Sequence, residues 1–257
     1  TSLVNQPYIL DLVPGQSMVE HLLKQGFDVY MIEWGRPRRE HRHLILEGHV
    51  LDRLPACVGQ VLQHSGEREL SIIGYCVGGT LLSITLAYMA KKRDARIASM
   101  TLFASQVDFT HSGDLKVFVD EDQLRILEER MERRGYLEGS EMATTFNMLR
   151  ANDLIWSFVV NNYLLGKDPF PFDLLFWNSD STRMPAAMHS FYLRNMYLEN
   201  NLTKGGAITL DGVPIDLHTI KVPTYMISCT EDHIAPWKST YSGTQLFGGP
   251  VRFVLSG

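Results

Sequence analysis

The sequence predicts an α/β fold in which a mostly parallel sheet is flanked by helices. Short apolar runs typical of strands occur at residues 70–74, 98–104, 222–228 and 251–255. An apolar helical pattern with lysines at its C-terminal end covers residues 80–91, directly after the first of these runs. Because strands that alternate with helices pair in parallel, the pattern indicates a parallel sheet.

Further elements extend this alternation towards the N-terminus. Residues 17–25 read as a helix closed by Gly26, and residues 28–34 form a β-branched and aromatic run that predicts a strand. A longer helical pattern covers residues 46–64. Near the C-terminus, residues 236–247 predict one more helix between the last two strands.

The α/β alternation is interrupted between residues 108 and 215. Residues 120–141 are charge-dense, which is typical of a solvated helix face, whereas residues 146–165 and 191–202 have apolar helical patterns. No strand-like alternation is evident there. We therefore predict a core formed by residues 1–107 and 216–257, with a helical cap, or lid, inserted at residues 108–215.

Composition excludes several classes of protein. The 257 residues carry 24 Lys+Arg against 29 Asp+Glu, a net charge of −5, which gives no electrostatic footprint for nucleic acid. The most apolar stretch, residues 80–90, is shorter than the roughly 20 residues of a membrane span. Three cysteines are too few for a disulfide scaffold, so we expect a reduced, cytoplasmic location. No metal is expected, because no His/Cys/Asp group has ligand spacing.

The most informative motif is the run GYCVGG at residues 74–79, which places Cys76 in the G-x-nucleophile-x-G spacing of the α/β-hydrolase nucleophile elbow. A predicted strand precedes the motif and a predicted helix follows it, which is the context that the elbow requires. The helix N-terminus favours a thiolate at Cys76. The backbone N–H of Val77 is then expected to face the oxyanion of a tetrahedral intermediate.

In this fold the acid follows a late strand, and the histidine comes last in the chain. Asp232, just after the strand at residues 222–228, is the predicted acid, with Glu231 as the alternative. No histidine follows the strand at residues 251–255, where only Ser256 and Gly257 remain. His233, adjacent to the acid, is a weaker candidate for the base. The other histidines read as surface or core residues: His21, His41, His43, His49, His64, His111, His189 and His218.

Together with the elbow, several longer runs make the chain similar to the polyhydroxyalkanoate synthases of the class I type, which polymerise short 3-hydroxyacyl-CoA thioesters. The resemblance covers nearly the whole chain. It rests on NQPYILDL (5–12), GYCVGG (74–79), FDLLFWNSDSTR (172–183), FYLRNMYLEN (191–200) and EDHIAPW (231–237).

The resemblance implies roles for particular residues. Cys76 is the acylated nucleophile, Asp232 the triad acid, and the backbone N–H of Val4 a second oxyanion donor. The family's histidine lies in a Ser-Gly-His-Ile segment directly after the strand that matches residues 251–255. We therefore expect this chain to be a fragment of an active synthase; the alternative is a truncated chain that cannot turn over.

The expected reaction transfers the acyl group of an (R)-3-hydroxyacyl-CoA, such as 3-hydroxybutyryl-CoA, to Cys76 and then to a growing polyester chain. Coenzyme A enters as a thioester substrate, and no cofactor is expected. A cysteine suits this chemistry because thioester exchange keeps the acyl group activated. The predicted insertion is expected to exclude water, to form the contact of a homodimer and to touch the polymer at a granule surface. Its aromatic residues are the candidate lid: Trp156, Phe158, Phe170, Phe172, Phe176 and Trp177.

Two other functions are compatible with part of this pattern. A cysteine-dependent thioesterase or dienelactone-type hydrolase shares the elbow and the acid, but lacks the WNSDSTR run and the long insertion. A catalytically inactive binding protein on the same fold is suggested by the missing histidine, and it predicts a thiol of ordinary reactivity at Cys76.

Overall fold

The computed structural model describes residues 1–149, 151–168, 174–180 and 182–257. The strands are β1 (Asp11–Val13), β2 (Gln16–Ser17), β3 (Leu70–Tyr75), β4 (Ile97–Phe103), β5 (Thr209–Leu210), β6 (Val213–Pro214), β7 (Thr224–Cys229) and β8 (Val251–Ser256). The α-helices are α1 (Met18–Lys24), α2 (Leu46–Gly48), α3 (Leu54–Ser65), α4 (Val77–Lys91), α5 (Glu121–Arg134), α6 (Gly139–Leu149), α7 (Leu174–Ser179), α8 (Ala186–Tyr192) and α9 (Trp237–Gly243).

Tighter and wider helical turns connect or extend these helices. The π-helical segments are His49–Arg53, Asn152–Trp156, Val159–Leu164 and Leu193–Leu198. The 3₁₀ turns are Pro7–Leu10, Arg39–His41, Gly113–Phe118, Asn201–Thr203, Leu217–Thr219 and Thr244–Leu246. The helix predicted at residues 46–64 is therefore present but contains a π-helical segment between α2 and α3.

The central sheet contains four parallel strands in the order β3-β4-β7-β8, which confirms the predicted α/β fold. Gly74 of β3 lies opposite Leu102, Leu102 opposite Met226, and Met226 opposite Phe253, so these residues share one face of the sheet. On that face Gly74 meets the backbone of α4, and Tyr241 of α9 packs edge-to-face on Phe253.

All four strands end at the same edge of the sheet, because they run in parallel. β3 leads there directly into Cys76, and β7 leads into the loop that holds Asp232. This edge is therefore where the predicted nucleophile and acid converge, as ligand sites in open parallel sheets generally do.

The strand predicted at residues 28–34 is wrong. These residues pair with no strand in the part of the chain that the structure describes. Their contacts with the first residue are isolated: the Thr1 hydroxyl donates to the Ile32 carbonyl at 2.6 Å, and the Trp34 indole N–H donates to the Thr1 carbonyl at 3.3 Å. A β-branched run forms a strand only where a neighbouring strand supplies a regular ladder of hydrogen bonds.

The range predicted as a helical insertion, residues 108–215, contains α5 to α8 and also the small antiparallel hairpin β5–β6. Residues 209–214 are therefore a short β-hairpin within a range that the sequence predicts to be mostly helical. Two-residue strands are too short to produce a recognisable alternation. Side chains of its later part, such as Met196 and Leu210, share one buried cluster with Ile84 of α4 and Leu102 of β4. The division into core and cap stays a prediction.

None of the helices in the described residues is long and apolar enough to cross a membrane.

Candidate active site

Cys76 lies in the turn between β3 and α4, at the N-cap position of the helix. Its backbone has φ 54° and ψ −127°, a left-handed conformation that a residue with a Cβ adopts only when its surroundings impose it. The Cys76 N–H donates to the Phe103 carbonyl at 2.9 Å, and its carbonyl accepts from the Gly79 N–H at 2.9 Å. These bonds fix the turn that presents the sulfur above the end of the sheet.

The glycines around Cys76 are required by close backbone approaches. A Cβ on Gly74 would lie 2.5 Å from the Cα of Gly79, so strand and helix touch through backbone alone. A Cβ on Gly78 would lie 2.0 Å from the Thr1 carbonyl oxygen, and one on Gly79 would lie 2.1 Å from Ser105 Oγ. The glycine spacing that identified the motif thus has a steric cause on both sides of the nucleophile.

Cys76 opens onto a cavity of about 680 Å³. Its inner part is formed by buried or partly buried side chains, namely Cys76, Thr80, His189, Tyr192, Tyr197 and Asp232. Its outer part is formed by exposed residues of α5 and α6, namely Gln123, Ile126, Arg130 and Thr144. The cavity therefore runs from the surface of these two helices down to the nucleophile, and its volume is that of a small-molecule site.

The thiol of Cys76 is protonated at neutral pH. Its pKa is raised to about 11, mainly by burial; the Val77 N–H lowers it, the charge of Asp232 raises it, and the Ser2 hydroxyl lowers it. The N–H at the start of α4 thus favours the thiolate, as expected, but desolvation outweighs this effect. A nucleophile in this state needs a base.

Asp232 shares the cavity with Cys76. Its Oδ1 accepts from the backbone N–H groups of Ile234 and Ala235, at 2.9 Å each, and this turn fixes the carboxylate after β7. Its charge contributes to the raised pKa of Cys76, which places the two groups within electrostatic reach. Glu231, the alternative acid, is exposed and does not line the cavity. Of the two carboxylates, the geometry favours Asp232.

The histidines are distributed as follows. His233 lines the cavity beside Asp232. His189, which the sequence analysis grouped with surface or core residues, is buried and also lines the cavity, and its Nδ1 has no hydrogen-bond partner in the described structure. The remaining histidines do not line the cavity, and among them only His49 is buried. They are His21, His41, His43, His49, His64, His111 and His218.

The two residues expected to supply the oxyanion donors both line the cavity. Val77 follows Cys76 directly, and its N–H is hydrogen-bonded to the thiol. Val4 is buried at the cavity wall, and its N–H donates to Ser2 Oγ at 3.4 Å. Ser2 thus contacts both the thiol and the Val4 amide, a role that no sequence motif indicated.

The aromatic residues expected to form a lid have divergent positions. Trp177 lines the cavity, and its indole N–H donates to the Gln6 carbonyl at 2.8 Å. Trp156, Phe158 and Phe176 are exposed and do not line it. Phe170 and Phe172 lie outside the described residues. The cavity is covered instead by residues of α5, α6 and the preceding 3₁₀ turn, including Leu115 and Met142.

Two tyrosines that the sequence analysis assigned only to a helix also belong to the site. The phenol of Tyr192 meets the side chains of Tyr197 and Thr80, and burial raises its pKa well above the ordinary value. Burial likewise raises the pKa of Tyr197, with a further contribution from Cys76. Both phenols are therefore neutral hydrogen-bonding groups beside the sulfur. Within the described residues, no group of His, Cys, Asp and Glu could hold a metal ion.

The fold and the elbow define the class of protein. The family model described as alpha/beta hydrolase fold matches residues 9–257, and the chain belongs to this family. Among solved structures, an esterase from Exiguobacterium antarcticum is 13% identical with a TM-score of 0.55, over 100% of this chain and 81% of the esterase. At that identity the likeness concerns the fold alone.

Closer similarity is found to curated proteins. The chain is 55% identical to a poly(3-hydroxyalkanoate) polymerase subunit PhaC of Rhizobium meliloti, over 99% of this chain and 41% of the relative. It is 51% identical to a poly(3-hydroxyalkanoate) polymerase of Methylorubrum extorquens, over 99% of this chain and 42% of the relative. These matches confirm the resemblance to polyhydroxyalkanoate synthases. The chain spans about two fifths of the length of these relatives.

Proposed function

We propose that this chain is the catalytic part of a polyhydroxyalkanoate synthase, an acyltransferase that polymerises (R)-3-hydroxyacyl-CoA with release of CoA. The observation that carries the proposal is the placement of Cys76 at the inner end of a cavity that also contains Asp232. The names of the similar proteins support the same reaction.

In the first step a base removes the Sγ proton of Cys76, and the thiolate attacks the thioester carbonyl carbon. The C–S bond to CoA breaks, and the departing CoA sulfur takes up the proton. The backbone N–H groups of Val77 and Val4 stabilise the oxyanion. Because one thioester is exchanged for another, the acyl group on Cys76 remains activated.

In the second step the hydroxyl of a 3-hydroxyacyl unit attacks the acyl-Cys76 carbonyl. Its proton passes to the base, an ester bond forms, and the bond to Sγ breaks. Asp232 orients the base and balances its charge. The base is a histidine that the resemblance places directly after β8, and β8 ends with Ser256 opposite Cys229, three residues before Asp232.

A pKa of about 11 supports the need for this base. At neutral pH the unassisted thiolate fraction of Cys76 is small, on the order of one in ten thousand. The predominantly apolar cavity above the sulfur favours acyl transfer over hydrolysis, because it limits the access of water.

The exposed apolar side chains of the predicted insertion support the further proposal of a homodimer contact and of a polymer-facing surface at a cytoplasmic granule. They include Val117, Trp156, Tyr163, Leu164, Leu165 and Phe176. Where exposed apolar side chains of this size form one contiguous surface, that surface is typical of an interaction site. Sedimentation of the full-length protein tests the dimer: a monomer with unaltered activity would refute this contact.

The proposed activity is tested with the full-length protein and (R)-3-hydroxybutyryl-CoA. We expect insoluble polyester and an acyl adduct on the Cys76 peptide by mass spectrometry. Cys76→Ala should abolish both, whereas Cys229→Ala, which changes an exposed cysteine, should leave both intact. Free 3-hydroxybutyrate as the only product would instead identify a thioesterase. No adduct and no CoA release would favour the binding protein.

A further inference from the structure

His189 is a buried histidine to which the proposed reaction assigns no role. It lies on α8, one helical turn before Tyr192, and only 5% of its surface is exposed. It forms part of the wall of the cavity that contains Cys76. Its position is therefore that of a group that meets whatever fills the cavity.

The Nδ1 atom of His189 is buried and has no hydrogen-bond partner among the described residues. The other buried histidine, His49, shows the usual arrangement: its Nδ1 lies 3.2 Å from the Ile45 carbonyl, and its Nε2 lies 3.2 Å from an Arg53 nitrogen. An unsatisfied buried polar atom costs about 1–3 kcal/mol. Because His189 lines a ligand-sized cavity, a ligand is one group that can supply a hydrogen bond to its ring.

Two other polar groups that line the cavity are already partnered. The Thr80 hydroxyl donates to the Gln106 carbonyl at 2.7 Å, and the Gln106 side-chain amide donates to the Ile234 carbonyl at 3.2 Å. Burial lowers the pKa of His189 to about 4, so its ring is neutral and can both donate and accept. Rotation of the ring by 180° about its Cβ–Cγ bond exchanges Nδ1 and Cδ2, so the nitrogen can occupy either of these two positions.

Two helices connect His189 to the surroundings of Cys76. Thr80 lies one turn after Cys76 on α4, and the phenol of Tyr192 meets the Thr80 side chain. His189 and Tyr192 are three residues apart, so their Cβ atoms are about 5–6 Å from each other on one face of α8. His189 is thus one helical turn away from a tyrosine whose phenol lies beside the sulfur, and both side chains line the same cavity.

We propose that His189 hydrogen-bonds the 3-hydroxyl group of the acyl chain on Cys76 and thereby selects 3-hydroxyacyl over unsubstituted acyl thioesters. This inference rests on the proposed function. An unsubstituted chain would leave the imidazole unsatisfied, and sites with buried polar groups reject analogues that lack the matching hydroxyl.

The test compares single-turnover acylation of Cys76 by (R)-3-hydroxybutyryl-CoA and by butyryl-CoA in the full-length protein. Intact-mass spectrometry follows both adducts. His189→Phe keeps a flat ring without polar atoms, and His189→Asn keeps an amide nitrogen near the Nδ1 position. His218→Phe, at an exposed position outside the cavity, serves as the matched control.

We expect His189→Phe to slow acylation by the hydroxyacyl substrate about tenfold to a hundredfold, with little change for butyryl-CoA. His189→Asn should recover most of the preference, and His218→Phe should match the wild type. An unchanged preference in His189→Phe, or an equal loss for both substrates, would overturn the assignment of His189 alone. A wild type that neither substrate acylates would refute the proposed function and this assignment together.

Discussion

The two sides of the cavity are built differently. The elbow floor (residues 74–91) is almost completely enclosed, with twelve of the fifteen residues of α4 buried. The cap roof (residues 113–165) has few buried side chains in its described part, chiefly Leu124, Met131 and Leu137, and it carries several exposed apolar residues. Two π-helical segments also interrupt its second half.

The elbow floor fixes the position of the sulfur, whereas the cap roof forms the outer end of the cavity. The floor holds the sulfur through backbone contacts that tolerate no added atom, so the location of the nucleophile is fixed by packing. The roof contributes cavity-facing residues such as Ile126 and Arg130 at the outer end, and its outward surface is available to a partner. Substitutions in the elbow floor should therefore lower the free energy of unfolding strongly, and substitutions on the outer surface of the cap roof should change it little.

The strongest test of this contrast is Gly74→Ala. Its new Cβ would lie 2.5 Å from the Gly79 Cα and 3.2 Å from Leu102 Cδ2, and neither the strand nor the helix has room to move. We expect a loss of about 4 kcal/mol or more in the free energy of unfolding, or a failure to fold. Urea unfolding measures the change.

The matched control for Gly74→Ala is Gly48→Ala, at the end of α2, where an added Cβ meets no atom within 4 Å. It should stabilise the protein by about 0.5–1 kcal/mol, because alanine is the better helix former. Equal effects of the two substitutions would show that backbone contact does not hold the elbow in place.

A smaller effect distinguishes two leucines. Leu81 of the elbow floor is 1% exposed, and Leu164 of the cap roof is 65% exposed. Leu81→Ala should lower the free energy of unfolding by about 3 kcal/mol through lost burial and a residual cavity. Leu164→Ala should change it by less than about 0.5 kcal/mol. A comparable loss at Leu164 in urea unfolding would mean that the roof is packed against a second copy in solution.

The same contrast explains how much the sequence could predict. The elbow motif and the candidate acid could be predicted from the sequence because their signals are local: glycines two residues either side of Cys76, and Asp232 directly after a strand. The parallel sheet followed from the alternation of elements. Each of these features depends on residues that are close in the chain.

Other features depend on contacts between distant segments, which no local pattern contains. Residues 28–34 have the composition of a strand but lack a paired neighbour. Trp156 and Trp177 have the same side chain, and only tertiary packing decides which of them faces the cavity. The pKa of Cys76 depends on desolvation, and Cys76 packs against a buried cluster whose members, including Val4 and Tyr192, come from distant parts of the chain.

The smallest expected effect concerns the electrostatics of the elbow floor. With a pKa of about 11, Cys76 should be alkylated by iodoacetamide at a rate that still rises tenfold per pH unit at pH 9.5, where the rate of a free thiol has levelled off. The charge of Asp232 raises this pKa, so Asp232→Asn should lower it and increase the rate at pH 8 by about two- to fivefold. Mass spectrometry of the Cys76 peptide separates it from Cys57 and Cys229.

Asparagine keeps an oxygen that can accept from the Ile234 and Ala235 N–H groups, so the turn after β7 should survive the substitution. Glu231→Gln removes a charge from the neighbouring exposed side chain outside the cavity and should leave the rate unchanged. A slower reaction in Asp232→Asn would mean that the carboxylate accepts the thiol proton itself. Equal acceleration by both variants would mean that net charge, rather than the shared cavity, couples the loop after β7 to the sulfur.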